Sequence, residues 1–156
     1  MNKLIIGKQG SGKTTFIKKN LILTLGTNFL VIDFLNEYKE IKEQNKVVAI
    51  EVEINKFKNI ILSSLKIGDK DTVFIFDNVN LANAYNKDTR KTLDWLLPEI
   101  KDKNTVMVMQ SIHDLNGSGL KDIFDDIIYF PTRDRTDICL DYLNDMQKVG
   151  KKVTIF

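Results

Sequence analysis

With 156 residues, 43 % of them hydrophobic and 28 % charged, the chain has the make-up of one globular domain, large enough for a single three-layer core and little else. A net charge of +2 makes no case for nucleic acid by composition alone. No apolar run approaches the ~20 residues of a membrane span, no leader is expected ahead of the first strand, and the lone Cys139 excludes an internal disulfide. A soluble protein of a reducing, cytoplasmic compartment is expected, with Cys139 as a core filler rather than a nucleophile.

The first predicted strand, over 3–6, runs directly into Gly7-Lys8-Gln9-Gly10-Ser11-Gly12-Lys13-Thr14. This fits G-x-x-x-x-G-K-[ST] and sits between an apolar strand and a helix, where a phosphate-binding loop must lie. Its glycines let backbone N–H groups turn inward as an anion nest. Lys13 is placed to bridge the β- and γ-phosphates, Thr14 to hold Mg²⁺, and the following helix to direct its positive end at the phosphates. The nucleotide-binding stretch is taken as Gly7 to Thr15. That helix is predicted over 14–25, with Ile17, Leu21 and Leu25 on one side and Gly26 as its cap.

Strands follow over 29–34 and 47–52, then a helix over 55–65 carrying Phe57, Ile61 and Leu65. The strand over 72–77 is apolar and ends in Asp77, the form of a Walker B element, whose carboxylate supports Mg²⁺ beside a phosphate loop. Asn78 stands where many such ATPases have a glutamate. An amide orients a water but cannot take its proton, so either hydrolysis is slow or the base is Glu37 or a neighbour's carboxylate. On this view Asn78→Glu would raise turnover.

Asp88 is placed to cap a helix with Leu93, Leu96, Leu97 and Ile100, which Pro98 must end or kink. The next strand, over 105–109, is followed by Gln110, a polar residue placed to report on the γ-phosphate or simply to face solvent. His113, the only histidine, has no companion for a metal site and reads as a turn cap. A strand over 127–130 precedes Arg133 and Arg135, suited either to charge on a transferring phosphoryl group or to surface pairing with Asp134, Asp137 or Asp141. A helix over 137–147, with Ile138, Tyr142 and Met146 together, and a strand over 152–156 complete the chain.

Apolar strands alternating with helical segments describe an α/β fold, a three-layer P-loop NTPase of the strand-inserted, RecA-like type with a mostly parallel central sheet flanked by helices. Residues 1–156 form one ATPase domain on this reading. The loops over 78–87 and 116–119 lack apolar periodicity. No N-K-x-D base reader occurs, which favours ATP over GTP. Later segments around Phe130-Pro131, or another subunit, are expected to hold the base.

The chain is similar to the HerA/FtsK superfamily of P-loop ATPases, which includes DNA translocases, conjugation coupling proteins and genome-packaging ATPases of membrane-containing viruses. The likeness rests on Gly7 to Thr15, on Val31-Ile32-Asp33-Phe34-Leu35-Asn36-Glu37-Tyr38 with its acid-x-x-x-Glu-Tyr pattern, on Phe74 to Asp77, and on Val108-Met109-Gln110-Ser111 with Asp114-Leu115. It implies Lys13 and Thr14 on phosphate and Mg²⁺, Asp77 on the metal, Gln110 as sensor, and an arginine acting across a subunit boundary. Arg133 or Arg135 is the choice for that arginine, with Arg90 behind them. A homo-oligomeric ring on double-stranded DNA is implied, of the small viral or mobile-element type, working in a host cytoplasm. Lys101/Lys103 and Lys148/Lys151/Lys152 would track a DNA backbone or be plain solvated surface. Two other functions compete: a small P-loop kinase using Asp33 as base and Arg133/Arg135 in a lid, and a slow nucleotide-dependent switch, which Asn78 would suit.

Overall fold

A computed structural model describes residues 1–22, 28–41, 47–51, 57–78, 95–112, 119–131 and 139–156. Seven strands form one sheet: β1 (Asn2–Gly7), β2 (Phe29–Asp33), β3 (Val47–Glu51), β4 (Val73–Asp77), β5 (Asn104–Met109), β6 (Asp126–Phe130) and β7 (Lys152–Ile155). Their order is β3-β2-β4-β5-β1-β6-β7, and every neighbouring pair is parallel. All seven coincide with predicted strands to within a residue or two at each end.

Because strand side chains alternate, the sheet divides its apolar residues between two layers. Leu4, Ile6, Ile32, Phe74, Phe76, Met107 and Met109 face one side. There they meet Ile61 and Leu65 of α2 (Phe57–Ile67), Ile100 of α3 (Leu97–Ile100), and Tyr142 and Leu143 of α4 (Cys139–Lys148). Ile5, Val31, Ile75, Val106 and Val108 face the other side, against Ile17, Leu21 and Ile22 of the helix after the phosphate loop and against Tyr38 and Ile41. This is the three-layer α/β P-loop architecture, with both faces covered as near-continuous apolar strands require.

Several local expectations change. The first helix starts at Lys13 and is α-helical only over Lys13–Phe16 (α1), then continues as a π-helix over Ile17–Ile22. The wider i→i+5 winding brings Ile17 and Ile22 onto one face, so Leu21 and Ile22 both reach the sheet. Leu25 and Gly26 lie outside the described residues. Pro98 does not end a helix but sits in the first turn of α3, after Leu96, where a missing N–H costs nothing. Asp88, Leu93, Ile138, the loops over 79–87 and 116–118, and the side chains of Phe57 and Cys139 also lie outside the described residues. Among those described, no helix is long and apolar enough to cross a membrane.

Candidate functional site

The site gathers at the carboxyl ends of the central strands. β1 ends at Gly7, and the loop turns at Gly10 (φ 77°) and Gly12 (φ 93°), a left-handed backbone that glycine adopts without strain. Gly7 is required for another reason: a Cβ there would lie 2.8 Å from Phe130 Cβ and 2.9 Å from the Phe130 carbonyl oxygen. Lys13 is the first helical residue, and its buried ammonium donates to the carbonyls of Gly7 (2.6 Å) and Lys8 (2.8 Å). That leaves a third proton for a ligand. Burial pulls the Lys13 ammonium below its ordinary range, while the nearby charges of Asp77 and Glu37 oppose the pull. The Ser11 hydroxyl oxygen is buried with no hydrogen-bond partner among the described residues, an unmet polar group in a loop built for anions.

The opposing wall comes from β4 and from the loop after β2. Asp77 ends β4 in register with Asp33 of β2 and Val108 of β5. Its Oδ2 accepts a hydrogen bond from the Tyr38 hydroxyl at 2.7 Å, and its Oδ1 accepts one from Asn78 Nδ2 at 3.0 Å. The Thr14 hydroxyl lies 3.3 Å from Asp77 Oδ2 and 3.2 Å from Glu37 Oε2. Its single proton can serve either carboxylate. Burial, above all, raises the Asp77 carboxyl to about 6, helped by the like charges of Glu37 and Asp33 and opposed by the Tyr38 hydrogen bond and Lys13.

The local sequence explains how Glu37 and Tyr38 arrive there. The Asp33 carboxylate, at the end of β2, accepts the backbone N–H of Glu37 through Oδ1 and of Tyr38 through Oδ2, both at 3.0 Å. Asn36 takes the left-handed turn this requires (φ 58°), as asparagine does more readily than other side chains. Asp33 therefore braces the loop, Glu37 projects into the cleft, and the fully buried Tyr38 locks Asp77. Burial pushes the Tyr38 phenol upward, so it stays a donor.

A cleft of about 210 Å³ runs between these walls, lined by Gln9, Gly10, Gly12, Lys13, Thr14, Thr15, Leu35, Glu37, Asn78 and Gln110. Gln110 follows β5, the strand between β4 and β1, and so lines the cleft beside the strand that Asp77 ends; Asp77 itself is buried behind the cleft wall, with the Thr14 hydroxyl between it and the opening. The hydroxyl and two carboxylates at Thr14, Asp77 and Glu37 are hard oxygen donors. Among the described residues no group of three His, Cys, Asp or Glu side chains is arranged to hold a metal ion by itself. This donor set fits Mg²⁺, which uses one or two carboxylates together with substrate phosphates rather than an all-protein cage.

Arg90, Arg133, Arg135, His113, Asp114 and Leu115 lie outside the described residues. Four of the lysines weighed as DNA-tracking or as solvated surface have partners within the chain: Lys148 pairs with Asp145 at 3.0 Å, Lys151 donates to the Asp122 carbonyl, Lys152 is 3.8 Å from Asp126, and Lys103 lies over the Phe74 ring. Tyr38 is the residue that sequence reasoning passed over in its particular role. The Glu-Tyr pair was noticed, but nothing in it reveals a bond to a strand end so far along the chain.

Fold and site together define a P-loop NTPase domain with a strand inserted between the phosphate-loop strand and the acidic strand. No protein-family model matches the sequence, and no curated protein matches it. Solved structures do. The genome packaging NTPase B204 from Sulfolobus turreted icosahedral virus 2, in complex with ATP-gammaS, superposes with a TM-score of 0.63 at 18 % identity, over 96 % of this chain and 85 % of that one. B204 from Sulfolobus turreted icosahedral virus, a DNA-packaging ATPase, gives 0.63 at 19 % identity over 94 % and 80 %. The complex of the former protein with AMPPCP gives 0.57 at 19 % over 96 % and 86 %. At such identities the likeness is one of fold. It falls on proteins described as viral genome-packaging or DNA-packaging NTPases.

Proposed function

We propose that this chain binds ATP with Mg²⁺ and hydrolyses it, as a homo-oligomeric ring that moves or packages double-stranded DNA. One observation carries the reading: Lys13, Thr14, Asp77, Glu37 and Gln110, from four separate stretches of chain, line or adjoin one cleft at the phosphate loop. Loop N–H groups and the free proton of Lys13 hold the β- and γ-phosphates. Thr14 and Asp77 hold the metal ion, which neutralises phosphate charge when bound. Glu37 accepts a proton from water as the water oxygen bonds to the γ-phosphorus and the bridging oxygen leaves with ADP. Gln110 hydrogen-bonds the γ-phosphate or that water. Asn78 is a brace for Asp77 rather than a substitute base, which supports Glu37 in the basic role.

The packaging assignment draws on the B204 structures, described as genome packaging NTPases in complex with ATP-gammaS and AMPPCP. An arginine from a neighbouring copy, Arg133 or Arg135 with Arg90 behind them, would complete each site, and the setting would be a host cytoplasm. The kinase alternative loses support because both oxygens of Asp33, its supposed base, accept backbone N–H groups in a buried position. ATP turnover measured with and without double-stranded DNA, beside light-scattering mass, tests the proposal. A multimer whose turnover rises with DNA supports it. Slow turnover indifferent to DNA replaces the motor with a switch, and phosphoryl transfer to a small acceptor replaces it with a kinase.

A further inference from the structure

The groups that would meet the reacting end of a nucleotide all lie to one side of β1. Gln110, Asp77 and Glu37 follow β5, β4 and β2, which run outward from β1 in that order. A polyphosphate seated in the loop with its γ end toward them sends its nucleoside the other way, over β6 and β7. There the chain presents rings. Phe130 ends β6 in register with Gly7, and Phe156 follows β7 with its N–H bonded to the Tyr129 carbonyl at 3.0 Å. The rings of Phe130 and Phe156 stack with centroids 5.1 Å apart and planes 6° from parallel. Phe16, two residues beyond Thr14, meets both edge-on at 5.6 and 5.1 Å.

Phe16 and Phe130 pack partly buried against the core on this face of the sheet, whereas Phe156 is 58 % exposed and leaves the stack open to solvent. It begins where the phosphate loop begins, because Gly7 is bare so that Phe130 can approach it. Phe156 lies two strand spacings from Gly7, about 10 Å, a separation suited to the ribose and α-phosphate. We propose that Phe130 and Phe156, buttressed by Phe16, form a stacking platform for the purine base of the bound nucleotide. The inference rests on the nucleotide-binding reading above and adds to it where the base goes. A ring face offers π-contact to any base, so the platform supplies affinity rather than base identity.

Calorimetric titration of ATP and of inorganic tripolyphosphate, each with Mg²⁺, into wild type, Phe156→Ala and Phe156→Trp tests the platform. Wild type should bind ATP at least fivefold tighter than tripolyphosphate. Phe156→Ala should weaken ATP about fivefold to tenfold and leave tripolyphosphate unchanged, and Phe156→Trp should retain ATP affinity. ATP affinity unaltered in Phe156→Ala, or an equal loss of both ligands, overturns the platform and spares the phosphate loop. Were the rings a seat for a second copy instead, Phe156→Ala would lower the light-scattering mass at unchanged ATP affinity, which also overturns it. A wild type that binds neither ligand fails the nucleotide reading itself and takes the platform with it.

Discussion

The two ends of the central sheet handle charge in opposite ways. At the amino end, Asp126 of β6 is paired with Lys3 of β1 at 2.9 Å and lies 3.8 Å from Lys152 of β7, while the Thr105 hydroxyl donates to Asn2 Oδ1 at 2.6 Å. Strand joins to strand, and Asp126 meets lysine charge through Oδ2, although its Oδ1 has no hydrogen-bond partner among the described residues. At the carboxyl end, Asp33 and Asp77 lie buried side by side with Glu37 above them, and the Lys13 ammonium is bonded to loop carbonyls. Like charges are crowded there, and the Asp77 carboxyl is raised to about 6. One end contributes stability; the other gives some up, a cost that the proposed cation and polyphosphate would offset.

Substitutions at each end should break this contrast in different observables. Lys13→Ala should lower nucleotide affinity by at least about 100-fold, as loss of a buried charged donor does, with the circular dichroism spectrum unchanged. Affinity within tenfold of wild type would remove the cradle from the site. Glu37→Gln should cut turnover about 100-fold with ATP affinity nearly constant, and single-turnover kinetics would separate the two. A variant as fast as wild type would mean that the proton goes elsewhere.

Asp77→Asn addresses the stability given up. Asp77 holds its proton more tightly folded than unfolded. Its contribution is therefore largest below the unfolded value near 4 and is lost as pH rises through about 6. Asparagine carries no such penalty. Without nucleotide or metal, the variant should exceed wild type at pH 7.5 by about 3 kcal/mol in urea unfolding, and the gain should vanish near pH 3.5. A variant less stable than wild type at pH 7.5 would show that the carboxylate is fully compensated.

Asn78→Glu should lower turnover about tenfold rather than raise it. Asn78 occupies a left-handed backbone (φ 57°) and donates to Asp77 Oδ1; glutamate fits that backbone poorly and sets a third negative charge beside Asp77 and Glu37. Steady-state rates decide, and a faster variant would restore the view that a base is missing at this position. The smallest effect belongs to the amino end. Lys3→Met should cost about 1 kcal/mol, since Lys152 remains near Asp126, and shift the melting temperature by about 3 °C. ATP affinity should stay put; a change in it would mean that the two ends are coupled.

Much of this was legible in the sequence because it is periodic or local. The seven strands are short apolar runs, and the phosphate loop is a contiguous pattern whose glycines have the conformations it demands. Asp77 and Gln110 were readable as polar residues closing buried strands, since a strand fixes where its end points. The remainder depends on contacts between distant stretches. Nothing near Tyr38 announces that its hydroxyl meets Asp77, and nothing near Phe156 announces that its ring stacks on Phe130. The π-helical stretch escaped because apolar spacing at 17, 21 and 25 satisfies an ordinary helix equally well. At Asn78 the chemistry is readable from the side chain, whereas the left-handed backbone turn is not.

The Asp33 brace has one more consequence. By gripping two successive amides, it hangs the proposed water-activating acid on β2 while the proposed metal-facing acid stays on β4. On the proposed mechanism, mutation could thus silence cleavage without loosening the grip. A copy altered only at Glu37 would act as a long-lived clamp, and if the proposed ring forms, mixing it in measured ratios with intact copies would reveal how many firing subunits keep it running.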